Sequence, residues 1–258
     1  MSQDSAAHLS SARLAQNPQE EAVRAGAPVA TAIAEPAESL SFLHHLYASA
    51  VFTAVFVVLC CGVYPAVVWA IAQGVFPVQA NGSLVTKAGT LTTNTEEAVG
   101  SALLGQNFAA PQYFHSRPSA AGAGYDASSS GGTNLGPLSA KLLSGIHGSK
   151  NPDGTPNPSA DFDGIKDLAA AYRVENGLPA DALVPADAVT RSGSGLDPHI
   201  SRENALLQAS RVAHARSLGV DGVRKLINEH TESRSLGLFG EPRVNVLLLN
   251  LALDQASR

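Results

Sequence analysis

The sequence predicts a single transmembrane helix followed by an α+β domain, with a disordered tail in front of the helix. Three observations carry that expectation. Residues 46–76 contain no Asp, Glu, Lys or Arg and are almost wholly apolar. Residues 201–229 hold two helix patterns with caps and apolar faces. Residues 244–251 read Val-Asn-Val-Leu-Leu-Leu-Asn-Leu, a dense run of strand type.

The anchor is the firmest element. A bilayer core takes about 20 apolar residues in helical form, and Leu46–Phe76 exceeds that. A helix satisfies its own backbone hydrogen bonds, which lipid cannot do. Tyr47 and Trp69 suit the two interfaces. Pro65 leaves the Cys61 carbonyl without its usual donor and predicts a kink. A soluble core helix of this length needs no apolar residue on every face. Val78-Gln79-Ala80 resembles a signal-peptide cleavage site, but the apolar run is about twice a normal signal core. A 45-residue tail also stands where a short basic region belongs. A retained anchor is therefore expected.

Charge is distributed by segment. Residues 1–45 carry five acids and two bases, and are rich in Ala, Ser, Glu, Gln and Pro. That composition reads as a disordered tail, with a short helix possible at Pro18–Arg24. Residues 77–258 carry the other 17 acids and 15 bases, a balanced soluble composition. The net charge of −5 excludes a broad basic face, so nucleic acid is not an expected partner. The two cysteines, Cys60 and Cys61, are adjacent within the anchor and cannot staple distant segments. Lys87 lies on one side of the span and Arg24 on the other, with Glu35 and Glu38 between Arg24 and the span. Charge alone leaves the orientation open.

Beyond the anchor, Val78–Asn81 reads as a stalk. Thr95 is expected to cap a helix bearing Glu96 and Glu97 in its first turn, with Ala98, Ala102, Leu103 and Phe108 inward. Residues 111–137 are turn-rich. Residues 147–164, HGSKNPDGTPNPSADFDG, have no apolar pattern and look like a flexible surface insertion. Ser201 is expected to cap a helix through Leu218, stopped by Gly219, with Ala205, Ala209, Val212, Ala213 and Arg216 along one side. Asp221 is expected to cap a second helix carrying Val223, Leu226 and Ile227. Val244–Leu251, apolar on both faces, is expected to be a central strand.

Motif absences exclude several functions. There is no G-x-x-x-x-G-K-[ST] phosphate cradle, no D-K-T-G phosphorylation sequence and no T-V-G-Y-G filter. By itself the chain is neither an ATP motor nor a pore. Ser192 and Leu196 occupy the glycine positions that a nucleophile elbow around Ser194 would need. Asp197, His199, His230 and Glu232 lack a spacing that forces convergence on a metal, and an Asp-Pro turn with a surface His is the simpler reading. No catalytic residue and no metal ligand is assigned. The amides of Ser130-Gly131-Gly132-Thr133-Asn134 are suited to cradling an anion, with Arg117 of Arg117-Pro118-Ser119 supplying charge. A structured loop held by a partly buried Arg117 is the alternative. Arg211 and Arg216 are placed to meet a partner's carboxylate or one within the domain.

Six stretches fall in order after the span. They begin with Gly82–Val85 and Gly100–Phe108, then Tyr113–Ala120 (YFHSRPSA) and Ser130–Pro137 (SGGTNLGP). Ser192–Ile200 (SGSGLDPHI) with Arg211–Ala213 follow, and last Gly240–Val246 running into Leu249–Asp254. Together, over residues 47–254, they resemble the KdpC family, the small single-span subunit of the bacterial Kdp potassium-transporting P-type ATPase. The resemblance implies a non-catalytic accessory subunit of a high-affinity, ATP-driven potassium uptake complex. Its partners would be a potassium-channel-like subunit, a P-type ATPase subunit and a small peptide subunit, with membrane lipid around the helix. It implies a cytoplasmic tail at 1–45, a span at 46–76 in the inner membrane and an extracytoplasmic domain at 77–258. It also brings the description of a catalytic chaperone raising the ATP affinity of the ATPase subunit. No cofactor follows from the residues, and ATP enters only as a family-level proposal. The residues put forward for a ligand or partner are Arg117, Ser119, Ser130, Gly131, Gly132, Asn134, Asp197 and Arg211. The rival reading is a membrane-tethered protein binding a small anion or nucleotide through Arg117 and Ser130–Asn134. This sequence departs from the family pattern in its long tail and in the 147–164 segment.

Overall fold

The computed structural model describes residues 41–256. Most of the expected disordered tail, including Pro18–Arg24, lies outside the described residues. The described chain divides between Tyr64 and Pro65.

One long helix, α1, runs Phe42–Val75 and is 34 residues long. It begins four residues before the expected boundary at Leu46, taking in His44 and His45. At 1.5 Å per residue it is about 50 Å long, well beyond the ~30 Å hydrocarbon core of a bilayer. None of its most apolar window is buried within the chain, which separates it from the core helix of a soluble protein. Its middle is a π-helical turn, Val58–Val63, where the Tyr64 N–H reaches back five residues to the Leu59 carbonyl. This turn lies immediately before Pro65, whose missing N–H breaks the ordinary ladder.

The remainder begins with a helical turn, α2 (Pro77–Ala80), where a stalk was expected. Asn81 Nδ2 donates to the Gln73 side chain at 3.0 Å and to the Pro77 carbonyl at 2.6 Å. A small antiparallel sheet follows, with β1 (Leu84–Thr86) between β2 (Leu91–Thr92) and β3 (Ala98–Ser101). The helix expected from Thr95 does not form. Asn94 Oδ1 accepts the Glu96 N–H at 3.0 Å in a side-chain-closed turn, and residues 98–101 pair with β1 instead. The competing hydrogen bonds of Asn at a turn and the pairing of a Val-Gly strand outweigh a weak helix signal.

Short helices α3 (Ala140–Ser144), α4 (Ile165–Glu175) and α5 (Ala186–Val189) come next. Between α3 and α4 the 147–164 loop is cross-linked by its own side chains. Asp161 accepts the Gly148 and Ser149 amides at 3.2 and 2.8 Å, and Asp153 accepts the Thr155 amide at 2.9 Å.

The second sheet places β6 (Arg243–Asn245) between β4 (His199–Ser201) and β5 (Thr231–Glu232), all antiparallel. Helix α6 (Arg202–Arg216) is capped by Ser201, whose Oγ accepts the Asn204 N–H at 3.1 Å. It ends two residues before Leu218, at a left-handed Ser217. Ala205, Ala209, Val212 and Ala213 are fully buried along it. Helix α7 (Val220–Glu229) is capped by Gly219 rather than Asp221, which sits in the first turn.

The largest correction concerns Val244–Leu251. Only residues up to Asn245 are strand. Asn245 Oδ1 then accepts the Leu248 N–H at 3.1 Å and starts helix α8, Val246–Ala256. Val246, Leu249 and Leu253 face the main core with Phe114, Ile200 and Ile227. Leu247 and Leu251 pack with Val85 in a second cluster beside the first sheet. A helix buried on two sides is apolar all round, and that erases the period that distinguishes it from a buried strand.

Candidate functional site: a loop clasp and a sewn strap

The segment Pro111–Arg117 has no strand partner, so its backbone groups must be satisfied otherwise. Side chains of α6 and α8 do this. Asn250 Oδ1 accepts the Phe114 N–H at 2.8 Å and its Nδ2 donates to the Phe114 carbonyl at 3.0 Å. Gln208 makes the same two-way pairing with His115, at 2.8 and 3.2 Å. Arg211 donates to the Pro111 and Tyr113 carbonyls at 2.7 and 3.0 Å, to Asn176 Oδ1 at 3.0 Å and to Gln208 Oε1 at 2.8 Å. Burial pulls the Arg211 guanidinium below its usual range, against the opposing pull of Glu175. Arg216 donates to the Gln112 carbonyl at 2.7 Å, pairs with Asp254 at 2.7 Å and lies over the Tyr113 ring at 4.9 Å.

The strap leads into a clasp between two loops. Arg117 Nη1 meets Asp197 Oδ2 at 2.8 Å, and its Nη2 reaches the Thr190 carbonyl at 3.3 Å. The Arg117 Nε is buried without a hydrogen-bond partner. Burial pushes the Asp197 carboxyl up, but the His199 side chain and amide and the Arg117 guanidinium outweigh it, holding the group down at about 2. Ser119 Oγ donates to the Gly195 carbonyl at 2.7 Å and accepts the Ala121 and Tyr125 amides at 3.1 and 2.9 Å. The Tyr125 hydroxyl bonds the Arg117 carbonyl, and burial pushes that hydroxyl up to about 12.

Ser130 Oγ and the Gly131 amide both donate to the Ser194 carbonyl, each at 2.9 Å. Gly195 has φ of +68°, and a Cβ there would stand 2.7 Å from Ala121. A Cβ on Gly132 would meet the Gly193 carbonyl oxygen at 3.0 Å. Gly105 joins from the first sheet's side, its amide donating to the Leu196 carbonyl at 2.7 Å. Asn134 is exposed and left-handed, with φ of +52°.

Arg117, Ser119, Ser130, Gly131, Gly132 and Asp197 thus come together, while Arg211 belongs to the strap. In this conformation the two terminal nitrogens of Arg117 and the Gly131 amide are spent on protein acceptors. The arrangement works as a structural lock between residues 117–132 and 190–197. Sequence reasoning did not find the residues that hold the strap, Gln208 and Asn250 above all, because nothing local marks a polar side chain that serves a distant backbone.

Beside the strap lies a cleft of about 360 Å³, lined by His115, Ser116, Tyr172, Glu175, Asn204 and Gln208 among others. His115 Nδ1 is 2.7 Å from Glu175, and that bond holds the Glu175 carboxyl below its usual range despite partial burial. The sequence carried no signal for this cleft, because its walls come from the strap, α4 and α6.

A long apolar helix joined to an α+β domain whose loops are locked by side chains is the build of a protein with one candidate membrane span among its described residues. Comparison with known proteins makes the assignment specific. Residues 46–255 match the family model of KdpC, described as the c chain of the K+-transporting ATPase. A potassium-transporting ATPase KdpC subunit of Mycobacterium tuberculosis (strain H37Rv) is 49% identical over 201 residues, 78% of this chain and 93% of the relative. Those of Caulobacter vibrioides and Beijerinckia indica are 49% and 46% identical over 212 residues, covering 82% of this chain and at least 93% of each relative. The chain belongs to the KdpC family.

Proposed function

We propose that this chain is the non-catalytic accessory subunit of a high-affinity, ATP-driven potassium uptake complex and stabilises its assembly. Family membership across residues 46–255 is the observation that carries this reading. Its partners are then the other subunits of that complex: a potassium-channel-like subunit, a P-type ATPase subunit and a small peptide. The tail lies in the cytoplasm, α1 crosses the inner membrane and the α+β domain lies outside.

That topology separates the domain from cytoplasmic ATP. The catalytic-chaperone effect on ATP affinity is therefore read as conveyed through the membrane spans rather than by nucleotide contact. Support comes from the clasp, where the groups suited to an anion, Arg117 and the Gly131 amide, are engaged inside the domain. The rival reading, a tethered anion- or nucleotide-binding protein, requires those groups to be released.

The test is complementation. Cells whose only potassium uptake system of high affinity is this complex are deprived of the gene for this chain and grown at micromolar potassium. Growth is lost and returns with the wild-type gene. Undiminished growth without the chain contradicts the proposal.

A further inference from the structure

The 147–164 loop and the start of α4 bring together donors that neither the strap nor the clasp uses. We propose that His147, Asp163 and Asp167 form a binding site for a divalent transition-metal ion of the zinc class. One imidazole nitrogen and two carboxylate oxygens lie within 4.8 Å of one another. His147 Nε2 is already 3.1 Å from Asp167 Oδ2. The donors come from two separate segments. Asp163 and Asp167 flank the Gly164 cap of α4, and His147 arrives across the bridge between Ile146 and Phe162.

A third carboxylate, Asp161, positions the histidine without ligating. It accepts the Gly148 and Ser149 amides, the two residues that follow His147. Zinc takes His nitrogen and carboxylate oxygen at ~2.0–2.2 Å in tetrahedral geometry, which sets two ligands roughly 3.4 Å apart. His147 and Asp167 already stand near that separation, and the wider gaps within the 4.8 Å cluster close to seat an ion. His147 and Asp163 are exposed, and His147 exchanges its hydrogen bond to Asp167 for the ion. Water fills the open positions. The mixed nitrogen and oxygen set favours zinc, nickel or copper over magnesium or calcium.

Two effects limit the affinity. Arg191 donates to the Asp163 carbonyl at 3.0 Å, and Arg191 and Lys141 both lie over the Phe162 ring. The N-terminus of α4 adds positive potential. A micromolar site is the outcome of those opposing charges. Its consequence is a clip between the loop and α4.

The experiment is zinc titration calorimetry on the full chain in detergent micelles, with chloride as counter-ion. One zinc binds per chain at micromolar concentration. His147→Ala and Asp163→Asn each weaken that binding at least ten-fold, while both variants keep the wild-type circular dichroism. Asp163→Asn leaves the Asp167 cap of α4 intact, so its effect is not one of folding. Changing His44 and His45 together to alanine leaves the site unaffected. The proposal is overturned by no binding at 100 micromolar zinc, by binding that survives either variant, or by binding that follows His44 and His45.

Discussion

Among the described residues Arg117 and Asp197 form the ion pair that joins the two clasp loops, and their charge state makes the lock sensitive to acid. The Asp197 carboxyl is held at about 2 in the folded chain, below the ~3.9 of an unfolded aspartate. Its contribution is complete above pH 4 and is lost as pH falls through about 2. Asp197→Asn therefore flattens the acid limb of stability between those values, measured by circular dichroism melts across pH 2–6. At neutral pH the same change removes charged hydrogen bonds that are partly exposed, a loss of about 1–2 kcal/mol. Gly195→Ala acts through sterics instead. A side chain at φ of +68° that meets Ala121 at 2.7 Å costs about 2 kcal/mol or more. Its melting temperature should fall by several degrees with unchanged pH dependence. Of the eight residues singled out from sequence, six sit in this clasp, Asn134 lies at its loop end and Arg211 belongs to the strap. Glycine, serine and arginine in turn-rich stretches advertise a structured loop, but not whether its amides face a ligand or another loop.

At the scale of elements, α8 decides how the domain is organised, because it holds both sheets and half of the strap. Asn250 supplies both partners of the Phe114 backbone. Asn250→Ala leaves a buried amide and carbonyl unpaired and is expected to cost about 2–5 kcal/mol. Asn250→Asp keeps the acceptor but buries a carboxylate against the Phe114 carbonyl, so at neutral pH it loses more than the alanine variant. Urea unfolding of the three proteins checks the order. The sequence marked α6 clearly, since Ser201 caps it and its small residues fall on one face. It concealed α8, where Leu-Leu-Leu between two asparagines satisfies strand and helix alike. The signal that separates them is Asn245 standing as a cap before apolar residues at 246, 249 and 253. Strands of two to four residues, as in the first sheet, are too short to show a period at all.

The described chain is a long apolar helix plus a domain whose buried polar side chains serve its own backbone. Leu59→Arg places a charge midway along α1, where insertion loses about 2.5–3.5 kcal/mol. That variant should be released by alkaline carbonate washing of membranes, while the wild-type chain stays bound. The complex reading depends on what the intact chain does for its partners. The most direct measurement is purification of the ATPase subunit in mild detergent from cells with and without this chain, followed by potassium-stimulated ATP hydrolysis. With the chain, the channel-like subunit co-purifies and potassium stimulates hydrolysis. Without it, the subunits separate and stimulation is lost. Intact assembly with full stimulation in its absence would contradict an assembly role.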